Sequence, residues 1–143
     1  MIKIEEKDIG RYVHILSRQI KREIDEAVSK YNVTSVQCAV IGFIFEKSKN
    51  TNVFAKDIES TFNMRRATVA EILALMEKNN LIERIAIQED ARLKKIVLTQ
   101  KSLEIKNNVS KKIIEVEKRI KRGLSKEEIE EFSRIIIKMS KNL

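Results

Sequence analysis

The 143-residue chain has no proline and no tryptophan, only three glycines, one cysteine and one histidine, and few aromatics. Each scarcity removes a class of function. A single cysteine, Cys38, allows no internal disulfide, and a single histidine, His14, lacks companions of metal-ligand spacing, so no metal site is expected. Three glycines supply no glycine-rich phosphate loop, and no apolar run approaches the about 18 residues of a membrane span. The opening Met-Ile-Lys-Ile-Glu-Glu-Lys-Asp lacks a signal-peptide pattern, which fits a cytoplasmic protein without membrane contact. Carboxylates fall in surface patterns such as Glu127-Glu128-Glu130-Glu131, a solvated face near a helix start, where negative charge is favourable. They form no convergent acid-base set, so neither enzymatic activity nor a cofactor is expected.

Positive charge and helical pattern are what the chain does have. Twenty-nine Lys and Arg against twenty-one Asp and Glu leave a net charge of +8, an excess that strengthens attachment to phosphates through counterion release. No Pro/Gly/Ser-rich linker or internal repeat divides the chain, and its length suits one domain of helices joined by short polar turns.

The organisation follows from caps and periods. Thr34 to Gln37 reads as a capping box, with Val33 and Cys38 as its hydrophobic staple, opening an apolar and therefore buried helix through Val36, Val40, Ile41 and Ile44 to about Glu46. A polar loop over 47–52 leads to a short helix near 54–61, with Ile58 and Phe62 facing inward. The next helix, about 65–79, puts Val69, Ile72, Leu73 and Met76 on a core side. Its opposite side shows Ala67, Ala70, Glu71, Ala74 and Lys78, with Arg65, Arg66 and Thr68 crowding the first turn. Small residues let a helix approach a groove floor, while arginines and a hydroxyl at its N-terminus can meet guanine edges and phosphates. The plainer account is that alanine favours helix and arginine favours solvent.

Directly behind this helix, 81–99 reads as a β-hairpin. Ile85, Ile87, Ile96 and Val97 supply β-branched runs on either side of a polar tip, Gln88-Glu89-Asp90-Ala91-Arg92. An aspartate two residues from an arginine can hold that side chain in few rotamers, and a stiffened arginine at a loop tip suits a narrow minor groove. An isolated Asp-x-Arg is more simply a solvated turn; the helix before it favours DNA. Helix, short helix, second helix after a tight turn, then hairpin is a winged helix-turn-helix. Lys56 on the short helix and Arg84 and Lys94 on the hairpin complete the candidate DNA-contacting set of Arg65, Arg66, Thr68, Asp90 and Arg92.

The run from Ile58 to Val69 (Ile-Glu-Ser-Thr-Phe-Asn-Met-Arg-Arg-Ala-Thr-Val), then Leu75 to Arg84, then Asp90-Ala91-Arg92 with Val97-Leu98-Thr99, resembles the MarR family of bacterial transcriptional regulators. The resemblance covers most of the chain, and the Asp-x-Arg wing followed by Leu-Thr is its most specific part. It implies that Arg65, Arg66 and Thr68 lie on major-groove positions, Arg92 on the minor-groove wing position and Asp90 on that arginine's partner. Asn80 and Ser102 stand where the family often has glycine. Asparagine tolerates the left-handed conformation needed there.

Outside the winged unit, expected over 34–99, lie long amphipathic stripes. Ile9, Val13, Leu16, Ile20, Ile24 and Val28 recur at helical steps over 9–30, as do Val109, Ile113, Val116 and Ile120 over roughly 100–122. Each helix would be about 33 Å long, more than a small winged unit covers. Gly123 fits a helix C-cap, Ser125 to Glu128 a capping box and Leu124 with Ile129 its staple, and a last helix offers Ile129, Phe132, Ile136 and Met139. Segments 1–33 and 100–143 are therefore expected to form a helical dimerisation region, giving a mostly α (α+β) fold and a homodimer on a pseudo-palindromic operator. Packing within one subunit is the competing account. The resemblance further implies repression relieved when a small, aromatic effector or an oxidation event respaces the two reading heads. Cys38 reads as a plain core residue, and His14 as a half-buried residue of the dimer face. The rival function is a winged-helix module that antagonises another regulator by protein contact, for which Arg65, Arg66, Arg84, Arg92 and Lys94 need not share one side.

Overall fold

Thr34 starts its helix as its capping box dictates. Its hydroxyl accepts from the Gln37 N–H at 3.1 Å, and the Gln37 side chain accepts from the Thr34 N–H at 3.0 Å. The computed structural model describes residues 8–143, so residues 1–7 of the expected 1–33 segment lie outside the description. Its elements are α1 (Ile9–Ser29), α2 (Ser35–Lys47), α3 (Ala55–Phe62), α4 (Arg66–Lys78), β1 (Ile82–Ala86), β2 (Lys94–Leu98), α5 (Gln100–Lys121) and α6 (Lys126–Ser140). The fold is mostly α, with one two-stranded antiparallel sheet, as the caps and periods indicate.

The core sits where α2, α3, α4 and the hairpin meet. Ile41, Ile44, Ile58, Leu73, Met76, Ile82 and Ile96 are each 2% exposed or less. Full burial of one such side chain stabilises by about 1.5–3 kcal/mol, so this cluster fixes the angle at which α4 leaves α3. Val28 of α1 and Ile105 and Val109 of α5 join the same cluster, so the long helices are rooted in the winged unit's own core. Val33 and Cys38 join the core as the staple pattern requires, but Val36 of the same helix is turned to solvent at 41% exposure.

Turn chemistry sets the joints. Asn63 ends α3 in the left-handed region at φ 50°, which lets the chain reverse into α4 within a few residues. Asp57 accepts from the Phe54 N–H at 2.8 Å and pairs with Lys47 at 2.7 Å, tying the start of α3 to the end of α2. Burial pushes its carboxyl up, but Lys47 and the Phe54 N–H outweigh that and hold it below its ordinary value. The sheet pairs Ile82 with Leu98, Arg84 with Ile96 and Ala86 with Lys94. The outer edge of β2 is partly closed by Ile96 N–H donating to the Val53 carbonyl at 2.8 Å.

α1 lies along α5. Arg119 clasps Glu23 with two hydrogen bonds, 2.9 and 3.3 Å, and these hold the Glu23 carboxyl below its ordinary value. Lys106 of α5 sits 3.9 Å from the Phe45 ring centre, a cation–π contact that fastens α5 to α2. Gly123 takes φ 81° after α5, and Ser125 then opens α6 with a complete capping box. Yet α6 buries none of its residues, and Leu124 is 48% exposed instead of stapled. Among the described residues no helix is long and apolar enough to cross a membrane.

Candidate nucleic-acid interface

α4 is amphipathic in the sense its sequence requires. Val69, Leu73 and Met76 are buried, Ile72 is half-buried, and Ala67, Ala70, Glu71, Ala74 and Lys78 are exposed on the opposite face. Leu75 is exposed as well, at 48%. Arg65 is the N-cap, in extended backbone, and its carbonyl accepts the first helical bond from Val69 at 3.1 Å. The N–H groups of the next turn therefore have no intrahelical acceptor and point, with the positive end of the helix dipole, away from the helix. Arg65, Arg66 and Thr68 are exposed around this end, and neither arginine has an ion-pair partner among the described residues. Cationic forks, a hydroxyl and free N–H donors converge on one helix end. Such a group can hold phosphate and reach acceptors on base edges.

The wing tip is built as an Asx turn. Asp90 accepts from the Arg92 N–H at 2.9 Å, and Leu93 N–H returns to the Asp90 carbonyl at 3.1 Å. The Arg92 guanidinium stands 3.8 Å from the same carboxylate with 95% of its side chain in solvent. The carboxylate thus shapes the backbone first and steadies the arginine second, leaving the guanidinium projecting from the tip. Lys94 is exposed at the start of β2.

No family model and no curated protein matches the chain in sequence. Solved structures do. The MarR transcription regulator from Oenococcus oeni is 28% identical, with 94% of this chain and 99% of that one covered and a TM-score of 0.67. A MarR family transcriptional regulator assigned from Clostridium acetobutylicum is 25% identical over 94% and 97% of the two chains, TM-score 0.73. Staphylococcus aureus MepR, in a complex with DNA, is 22% identical over 97% and 99%, TM-score 0.78. The fold is that of the MarR-family transcriptional regulators.

Within this MarR-like fold the sequence-derived residues fall into separate groups. Arg65, Arg66 and Thr68 share the first turn of α4, Asp90 and Arg92 share the wing tip, and Lys56 is exposed on α3, bonded to none of them. Arg84 and Lys94 line a cleft at the wing root together with Glu77 and Asn80. Arg84 is not presented freely. Its Nε lies 3.4 Å from the Glu77 carboxylate at the end of α4, is buried, and makes no hydrogen bond. The sequence offered no sign of this pair, because seven residues and a chain reversal separate its members and neither helix nor strand period links them.

The single cysteine and the single histidine differ in exposure, Cys38 being half-buried and His14 open to solvent. Burial pushes the Cys38 thiol up against the nearby positive charge of Lys106, which disfavours the reactive thiolate. His14 is exposed on α1 in the single chain, not half-buried as its place beside the apolar stripe suggests. Among the described residues no three His, Cys, Asp or Glu side chains are grouped to hold a metal ion.

Proposed function

We propose that this chain is a sequence-specific double-stranded DNA-binding transcriptional regulator that acts as a homodimer on a pseudo-palindromic operator. The observation that carries the reading is the free cationic turn of α4, Arg65 to Thr68, combined with the projecting Arg92 of an Asx-braced wing. Arg65, Arg66 and Thr68 are assigned to the major groove, and Arg92, with Asp90 behind it, to the flanking minor groove. Lys56 and Lys94 are assigned to phosphates, where position matters less than charge. Arg84 is assigned the same contact at the wing root, reached from its place beside Glu77. MepR, a chain of the same fold, has been solved in complex with DNA, which supports the DNA-binding reading as a whole. The role is not catalytic, and the place of action is the cytoplasm.

Pairing is supported by what one subunit leaves uncovered. Phe132 and Ile137 of α6 are 52% and 55% exposed, and Ile9, Val13 and Leu16 of α1 and Ile113 and Ile114 of α5 are each 38% exposed or more. Beside them, Leu16, Ile20, Val116 and Ile120 floor an open groove of about 430 Å³ rimmed by Arg22, Arg122 and the Arg119–Glu23 pair, a rim of net positive charge. A second copy brings an apolar α6 whose first turns carry Glu127, Glu128, Glu130 and Glu131, complementary to that rim. The regulatory role is repression relieved by a small aromatic effector that binds one spacing of the two reading heads better than the other.

The protein-contact module is favoured by one observation only, the engagement of Arg84 with Glu77, which removes a cation from the free surface. Selection of bound fragments from random duplex DNA, repeated with phenolic compounds, separates the readings. A two-fold symmetric motif, lost on adding a phenolic effector, is the expected result. Recovery of no preferred sequence leaves the protein-contact module standing.

A further inference from the structure

Two side chains at the start of α5 reach back to the far end of α4, the recognition helix of the proposed reading. Thr99, the N-cap of α5, donates its hydroxyl to the Asn80 carbonyl at 2.6 Å, and Lys101 Nζ donates to the Asn79 carbonyl at 2.8 Å. Thr99 is itself held. Its N–H bonds the Leu81 carbonyl at 3.3 Å, and the fully buried Ser102 donates its hydroxyl to the Thr99 carbonyl at 2.9 Å. The carbonyls that α5 grips belong to the turn ending α4. Asn79 and Leu81 still donate to the Leu75 and Met76 carbonyls there, at 3.0 and 2.9 Å, and Asn80 adopts φ 58°. An ammonium at such a turn meets the negative end of the helix dipole, so its placement is electrostatically matched.

Leverage makes this contact matter. α4 has thirteen residues, about 20 Å, and the reading turn lies at its other end, so a tilt of about 3° about the held end moves that turn by about 1 Å. Hydrogen bonds to base edges fail over such a distance, whereas attraction to phosphate hardly changes. We propose that Thr99 and Lys101 form a latch between α5 and the C-terminal turn of α4 that sets the aim of the recognition helix. They are positioning residues for sequence discrimination that touch no DNA. The latch rests on the DNA-binding reading above and adds a route by which any displacement of α5 reaches α4.

The test uses the full chain with Lys101→Met, Lys101→Arg, Thr99→Val and Thr99→Ser. Hydrogen exchange of the Asn79 and Leu81 amides is followed without DNA, and affinity is measured on the selected duplex and on random duplex across salt concentrations. K101M and T99V are expected to speed exchange at these amides and to lower the selected-to-random affinity ratio by about three- to tenfold. Random-duplex affinity and the salt slope stay as in the wild type, and K101R and T99S restore the ratio. Faster exchange with an unchanged ratio overturns the inference. So does an equal loss on both duplexes with a slope shallower by about one phosphate, which would put Lys101 on the DNA backbone. A wild-type chain that prefers no duplex overturns the DNA reading and the latch with it; a wild type that discriminates while K101M discriminates equally overturns the latch alone.

Discussion

Arg92→Ala isolates the wing, because truncating so exposed a side chain disturbs little of the fold and, on the proposed reading, acts on DNA binding. The side chain is 95% exposed and its guanidinium stands 3.8 Å from Asp90, while the bond that shapes the tip runs from the Arg92 backbone N–H to Asp90 and survives truncation. The substitution should therefore move the melting temperature by less than about 2 °C. On the operator each lost wing arginine should cost about 1 to 3 kcal/mol, about five- to 160-fold in affinity. A homodimer loses two cations, so the slope of log K against log salt should become shallower by about 1.8. Fluorescence anisotropy on a labelled duplex from 50 to 200 mM salt, at about those limits, reads both quantities. Asp90→Asn keeps an oxygen for the Arg92 N–H and removes only the charge, so its loss should stay below about threefold. Unchanged affinity and slope for R92A would remove the wing from the mechanism, and a large fall in melting temperature would show that Arg92 is a structural residue.

Arg66→Ala should relax sequence preference more than it lowers affinity for random duplex, measured by competition between selected and random fragments; equal losses would mean that Arg66 meets only phosphate. Phe132→Asp should weaken self-association at least about tenfold in sedimentation while helical content stays constant, because α6 buries nothing within its own subunit; unchanged association would place the interface elsewhere. The Glu23–Arg119 clasp predicts a pH effect of definite sign. Glu23 is depressed in the folded state relative to its ordinary 4.5, so the stability it contributes is present above that value and is lost as pH falls through the lower, folded-state value. Glu23→Gln should flatten the acid limb of a denaturation series, and an identical limb in both proteins would refute the clasp's role.

Local signals carried most of the architecture. Thr34 and Ser125 are capping residues because their partners, Gln37 and Glu128, lie three residues on, and that spacing is written in the chain. The hairpin was legible from β-branched runs around a polar tip, and α4 from its period. Contacts between elements were not legible. Arg84 reads as one more surface cation, but its placement opposite Ile96 on the core-facing side of the hairpin brings it to Glu77. Val36 reads as core because α2 is apolar throughout, and periodicity cannot say which side of such a helix remains open. Lys101 looks like any solvated lysine until the fold brings the α4 terminus beneath it. That α6 stays uncovered within its own chain was likewise invisible, since an amphipathic stripe states that it needs a partner but not whose.

A hydroxyl-radical footprint on the selected duplex tests the central claim most directly, since it reads both subunits and both wings at once. Two symmetric minor-groove protections, which disappear in R92A, should flank major-groove half-sites centred about 34 Å apart. A single asymmetric protection, or a symmetric one indifferent to Arg92, would contradict a paired surface of α4 turns and wing arginines.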